Sequence, residues 1–285
     1  MGMRTKLKIE TFDIAQDGNL KFKIVFFAFL FFVFNFAFSA FAAEANDVNA
    51  PIRATGNFCQ DAKVFPKTAL GDAQKTYFNS NNLLLILMAG GGSIALHDSH
   101  ADDKIADNFK DHRSLPHDLD NFTDIAGNPG IHFAATGIWY GIAASKKDDL
   151  NIQRSWVMAR ALAVTGATTL MLKGIVNNDT PNGKSWAWPS GHTASSFCVA
   201  SVLDEFYGPK VGIPAYLLAG FVGYRMMDSG DHWASDVLFG GVLGYVVGHA
   251  VAGEHKKLEL AGFEILPLIA PHRGSTAGIM LAKEF

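Results

Sequence analysis

The stretch 188-WPSGHTASSFCVASVLDEF-206 opens on a Pro, a Ser, a Gly and a His and then runs on as a helix-forming segment. Pro189 fixes φ, Gly191 lets backbone approach a ligand closely, and Thr193 to Phe206 reads as helix. The pattern therefore sets amide donors and an imidazole at a helix N-terminus. Unpaired N–H groups and a partial positive charge make such an end attractive to an anion such as phosphate. Upstream, an apolar helix from about Trp156 closes at Lys173, and the Pro181-Asn182-Gly183 turn that follows aims the ammonium at the same place. Downstream, the apolar span Val211 to Met227 ends near Arg225, Asp228-Ser229-Gly230-Asp231 breaks it, and His232 opens another helix. Asp236 lies four residues beyond His232. In a helix this spacing puts both on one face, where the carboxylate can accept from one imidazole nitrogen and leave the other free. Lys173 and Arg225 would offset the charge of phosphoryl oxygens. Taken singly, each residue has a bland reading as a cap or a solvated helix end. Taken in this order, they point to phosphoryl chemistry.

Over the 64 residues from Lys173 to Asp236 the chain resembles the type 2 phosphatidic acid phosphatases, which share a fold with bacterial class A acid phosphatases and vanadium haloperoxidases. The family's Pro-Ser-Gly-His block is intact at Pro189 to His192. Its first block, Lys, six residues and Arg-Pro, reads here as Lys173, six residues and Thr180-Pro181, so the Arg is missing. Its third block, Ser-Arg, five residues, His, three residues and Asp, reads as Tyr224-Arg225, six residues, His232, three residues and Asp236. Tyr replaces Ser, and the loop is one residue longer.

The resemblance implies that His232 attacks phosphorus to give a phosphohistidine, that Asp236 orients it, and that His192 is general acid for the leaving oxygen and then general base for water. It also implies that Lys173, Ser190, the Gly191 amide and Arg225 hold the phosphoryl group, with no metal or other cofactor. Thr180 cannot supply the planar, permanently charged fork of Arg, and Lys184 is the nearest substitute. Gly230 makes the loop permissive enough to absorb the extra residue. The fold expected is all-α, a compact helical bundle of the acid phosphatase/haloperoxidase type with a short C-terminal β-hairpin. The function expected is a phosphatase acting on a phosphomonoester or a lipid-linked phosphate or pyrophosphate. The alternatives are a vanadate-dependent haloperoxidase, which the missing Arg and the short chain disfavour, and a non-catalytic binding protein on a decayed site.

Composition agrees with one sizeable domain: 285 residues, 49% hydrophobic and 18% charged. A pI near 6.3 argues against nucleic-acid binding. The N-terminus has Lys21 and Lys23, the apolar run Ile24 to Phe38, and then Ser39-Ala40-Phe41-Ala42-Ala43. This reads as a signal peptide over 1–42, and its removal takes the net charge from −3 to −5. The competing reading is an uncleaved anchor, since Ile24 to Ala43 has the length of a membrane span. Export would place the active site outside the cytoplasm, in a periplasmic or membrane-associated protein. Of the two cysteines, Cys198 falls within a helix and reads as a buried small hydrophobe, and neither looks catalytic.

The lead segment 43–66 reads as loop or short helix, 67–256 as the helical domain, and 257–285 as a hairpin extension. Apolar helical spans are expected at about Leu83–Leu96, Ile131–Ala144, Trp156–Leu172, Thr193–Phe206, Val211–Tyr224 and Val237–Val251. Their uncharged cores are short for membrane spans, which favours a helix-packed core, soluble or peripherally attached, with a membrane-embedded form as the alternative. The His- and Asp-rich segment His97 to Asp124 fits no compact metal-ligand spacing and reads as a solvated acidic loop or helix beside the substrate entrance. Trp186 and Trp188 suit either a greasy substrate or the core. The partner is a phosphorylated substrate, lipid included, and nothing in the sequence addresses oligomeric state.

Overall fold

Residues 53–253, together with the strand residues 259–260, 263–269 and 277–282, are described by the computed structural model. The N-terminal segment 1–42 lies outside them. Among the described residues the chain forms nine helices: α1 Phe58–Phe78, α2 Ser80–Asp98, α3 Ala101–Asp111, α4 His117–Gly127, α5 Pro129–Lys146, α6 Asp149–Val176, α7 Gly191–Tyr207, α8 Pro209–Asp228 and α9 Ala234–Ala252. All six apolar spans expected from sequence fall inside helices. The C-terminal strands β1 (Glu259–Leu260), β2 (Phe263–Ile269) and β3 (Ala277–Ala282) pair antiparallel in that order, so the expected pair of strands gains a short third one.

Two expectations need correction. Part of the segment read as loop or short helix is the start of the 21-residue α1, capped by Asn57, whose side chain accepts from the Gln60 N–H, with Pro66 inside the helix. The polar segment His97–Asp124 is not merely solvated. It supplies the end of α2, all of α3 and most of α4, and it buries Asp102 and Asp120. Asp102 accepts from the Ser235 N–H at 3.0 Å and the Ser235 hydroxyl at 2.5 Å, which ties α3 to the start of α9. A buried carboxylate needs such partners, and composition alone cannot reveal them.

The bundle's core gathers Ile86 and Ala89 from α2, Val164, Leu172 and Val176 from α6, Phe239, Leu243, Val246 and Val247 from α9, and Trp188 from the loop before α7. Trp188 is 1% exposed, packs with its ring centroid 4.3 Å from that of Phe239, and donates Nε1–H to Ser93 Oγ at 3.0 Å. A second cluster, Met158, Ala161, Leu162, Cys198 and Val202, joins α6 to α7. Burial pushes the Cys198 thiol up to about 12, which suits a packing role. Many apolar side chains remain outside these clusters, among them Ile138, Ile142, Leu170, Ile213, Leu217 and Leu218. Helices α6 and α9 have the length and hydropathy of membrane spans, although more than half of the apolar stretch of each is buried in the bundle.

The closest helix pair is α7 with α9, and its cause is a stripe of Gly240, Gly244 and Gly248 at four-residue spacing on α9. A Cβ on Gly240 would stand 2.6 Å from Ser190 O, one on Gly244 2.0 Å from Ala194 O, and one on Gly248 2.8 Å from Cys198 O. Each distance is too short for any real carbon, so the two backbones touch only because these side chains are absent. Gly241, by contrast, faces Phe197 ring atoms at ordinary contact distances of 3.5 Å and beyond. Gly244→Ala is therefore expected to cost about 3 kcal/mol or more through overpacking, whereas Gly241→Ala is neutral or gains a few tenths from helix propensity. Thermal melts of the two variants followed by circular dichroism check this contrast.

Candidate active site

The stripe brings the start of α7 beside the start of α9, and the C-terminal ends of α6 and α8 arrive at the same end of the bundle. Lys173 lies in the last turn of α6, and its Nζ donates to the carbonyls of Trp186 and, at 3.0 Å, Ala187. The loop between α6 and α7 is thus clipped to the helix it leaves. Gly191 is the first residue of α7, and a Cβ there would meet Thr169 Cγ2 at 3.6 Å and Lys173 Cε at 3.9 Å. Ser190 is the N-cap: its hydroxyl accepts from the Thr193 N–H at 3.3 Å, lies 2.9 Å from Thr193 Oγ1, and is fully buried. The hydroxyl therefore shapes the helix end from within, while the Gly191 and His192 amides belong to the helix's unpaired first turn.

His232 pairs with Asp236 as the spacing predicted, but by another device. Helix α9 starts at Ala234, so His232 precedes it and the two do not share a helical face. Asp236 sits in the first turn and reaches back: its Oδ2 accepts from the Trp233 N–H at 3.0 Å and lies 3.1 Å from His232 Nδ1. A capping carboxylate thereby fixes the imidazole through Nδ1 and leaves Nε2 outside that contact. Asp236 is fully buried and His232 is 8% exposed.

Arg225, on the last turn of α8 and 8% exposed, is held by three carboxylates. Its Nε donates to Asp120 at 2.6 Å, and its NH1 to Asp124 and to Asp231, each at 2.9 Å. Sequence reasoning missed Asp120 and Asp124, which arrive from α4 in the segment read as solvated. A buried guanidinium must find carboxylates somewhere, and that acidic segment was the only cue. Asp231 also accepts from Lys184 Nζ at 3.0 Å, Asn182 Nδ2 at 2.9 Å and Ser229 Oγ at 2.8 Å. Burial alone would raise its pKa, but these donors and Arg225 outweigh it and hold the carboxyl down at about 2.

Lys184, expected to replace the missing Arg, is exposed and reaches the site only through Asp231. Thr180 is 7% exposed and turned inward, bonding Asn182 Oδ1 at 2.6 Å and accepting from the Lys184 N–H at 2.9 Å. A second guanidinium, Arg113, shares Asp120 with Arg225, at 2.9 Å through the other carboxylate oxygen. The substituted Tyr224 has a structural use: its hydroxyl lies 2.5 Å from Ser114 Oγ and anchors the loop that carries Arg113. The extra residue of the third block is taken up between α8 and α9, where Gly230 has φ +71° and its carbonyl accepts from the Asn182 N–H. Of the two tryptophans, Trp188 is core, whereas Trp186 is half exposed.

The His192 imidazole is a quarter exposed, with Nε2 3.5 Å from Asp124 Oδ1. Burial pushes it down to about 4 against the pull of Asp124, with neighbouring His232 and the Arg225 guanidinium adding to the depression. Both imidazoles, Arg225 and the α7 N-terminus thus converge on one small region at a single end of the bundle.

Parts of the chain match known proteins and a family model. A Lipid A 1-phosphatase of Porphyromonas gingivalis is 40% identical over 65 residues, 22% of this chain and 15% of that relative, so the chain matches only a small part of the relative's length. The crystal structure of a transmembrane PAP2 type phosphatidylglycerolphosphate phosphatase from Bacillus subtilis superposes with a TM-score of 0.50 at 20% identity, over 59% of this chain and 92% of that one, and shares the helical fold. That of Aquifex aeolicus LpxE gives a TM-score of 0.42 at 20% identity, over 51% and 92% of the two chains. Residues 154–258 match the family model of the PAP2 superfamily. That matched segment contains Lys173, Lys184, Ser190, Gly191, His192, Arg225, His232 and Asp236, the site residues read from the sequence.

Proposed function

We propose that the protein is a phosphatase that removes a terminal phosphate from a lipid-linked substrate through a phosphohistidine. The observation that carries this reading is the His232–Asp236 pair beside His192 and Arg225. Nε2 of His232 would attack phosphorus while the bond to the leaving oxygen breaks and His192 gives that oxygen its proton. His192 would then take a proton from water, the resulting hydroxide would cleave the P–N bond, and inorganic phosphate would leave. Lys173, Arg225 and the Gly191 amide would balance the charge on the non-bridging oxygens, with Ser190 acting as the cap that aims the amide. Lys184 would contribute through Asp231. The residues named supply nucleophile, acid and cation cradle from side chains and backbone alone.

Lipid linkage is supported by the named relatives, by the half-exposed Trp186 whose carbonyl binds Lys173, and by the apolar side chains exposed on α5, α6 and α8. Apolar surface on this scale marks contact with lipid or protein. Membrane association with the site outside the cytoplasm is part of the proposal and agrees with the signal-like N-terminus.

Phosphate release by the purified chain is expected to fall about a thousandfold or more in His232→Ala and at least about a hundredfold in His192→Ala. Wild-type protein quenched in alkali after brief exposure to ³²P-substrate should carry acid-labile label that His232→Ala lacks. Unchanged release in both variants rules the mechanism out. His192 must be protonated to act as acid and lies near 4 in the free protein. kcat/KM is accordingly expected to fall as pH rises from the acid range toward neutrality, and a flat profile would contradict the role. Trp186→Ala should raise KM several-fold for a long-chain lipid phosphate, by roughly the worth of one aromatic contact, and leave that for a soluble sugar phosphate unchanged. Parallel assays of phosphatidate, isoprenyl pyrophosphate, lipid A and sugar phosphates measure both the preference and this effect.

A further inference from the structure

We propose that Asp124 is the positioning residue of the general acid, orienting the His192 imidazole and keeping its protonated form available while it holds Arg225 toward the same point. This rests on the reading of His192 as the acid. One oxygen, Asp124 Oδ1, makes both contacts: 2.9 Å to Arg225 NH1 and 3.5 Å to His192 Nε2. Nε2 is buried and has no hydrogen-bond partner. A buried polar atom in that state is rare and costly, and Asp124 is the acceptor standing next to it. The separation exceeds a normal N–H···O bond by about half an ångström, a shift within the reach of one side-chain torsion.

The contact depends on a proton at Nε2. In the tautomer with bare Nε2, lone pairs face each other and nothing is gained. Once the ring is protonated, Nε2–H becomes a donor, the carboxylate fixes it with a charge-assisted bond, and Nδ1–H is left for the leaving oxygen. On transfer that N–H bond breaks, the new O–H bond forms, and the neutral ring keeps its Nε2–H on Asp124. The arrangement repeats the His232–Asp236 pair with the same logic and the other helix end.

Other charges around His192 do not serve in its place. Arg225 from α8 and His232 from the following loop oppose protonation, and the cation that α6 brings near, Lys173, has its Cε 3.9 Å from where a Gly191 Cβ would stand. Asp231 favours it but is already bound by Lys184, Ser229, Asn182 and Arg225. Asp124 is 44% exposed at its side chain and free to adjust, while Asp120, one turn earlier on α4, fixes that helix to Arg225 Nε at 2.6 Å.

The test uses the intact chain as wild type, Asp124→Asn and Asp124→Glu. An NMR titration of the His192 ring should show its pKa lowered by about one unit in Asp124→Asn, the usual effect of losing a close carboxylate, and at least partly restored in Asp124→Glu. The falling limb of the kcat/KM profile should move with it. Above that limb, hydrolysis of phenyl phosphate should drop about tenfold, and that of p-nitrophenyl phosphate, whose leaving group needs little protonation, much less. An unmoved His192 titration, or an equal loss on both esters, overturns the proposal. So does a higher kcat/KM with tighter inhibition by inorganic phosphate, which would make the carboxylate an occupant of the anion site. If wild type releases no phosphate, the phosphatase reading fails by itself, and the titration still decides whether Asp124 governs His192.

Discussion

Backbone contact between α7 and α9 is the constraint on which the rest of the structure depends. Gly240, Gly244 and Gly248 remove the side chains that would hold these helices apart, and Ser190 O, Ala194 O and Cys198 O occupy the space. The approach places two helix N-termini side by side, and the Ser190 N–H donates to the Asp236 carbonyl at 3.1 Å to lock them in register. His192 and His232 belong to those two ends, so their proximity follows from packing twenty ångströms or so of helix below them. Trp188 and Phe239 fill the remaining gap, which anchors the Pro-Ser-Gly-His turn to the core rather than to solvent.

The site's electrostatics follow from burying Arg225. Its guanidinium cannot stay unpaired in the bundle, and Asp120, Asp124 and Asp231 satisfy it from two separate segments. The same carboxylates recruit two more cations, Arg113 through Asp120 and Lys184 through Asp231, while the position where the resembling family carries an Arg holds Thr180. The missing fork is therefore not replaced by one residue in the same loop. Positive charge is instead spread over two half-exposed or exposed side chains, each tied to Arg225 through a shared acid, which leaves the cradle less cationic than its lysine and arginine content suggests.

Much of the site was legible because its parts are local. Pro189 to His192 announces a helix start by residue type, and the interval from His232 to Asp236 forces the carboxylate near the ring whether the segment is helix or cap. The six apolar spans were legible for a similar reason, since continuous hydrophobicity over a dozen residues has few outcomes besides a helix in the core. What failed was assignment of polar residues whose partners are far away in sequence. Asp102 reads as a surface acid until Ser235 is found against it, and Asp120 and Asp124 read as solvated until Arg225 is seen to need them. The start of α1 was missed because Pro66 looks like a breaker, yet the helix runs through it from Phe58 to Phe78.

By itself, then, the sequence determined the helical class, the order of the reactive groups along the chain, the helix start at Pro189 to His192, and the short-range His232–Asp236 pair. Tertiary structure alone decided which acids face Arg225 and His192, that the Ser190 hydroxyl is spent on capping, and that Trp186 is open while Trp188 is core. The reason is one of range. Periodicity and capping act over four or five residues, whereas the charge that a buried cation meets is set by segments a hundred positions apart, such as Asp120 and Arg225.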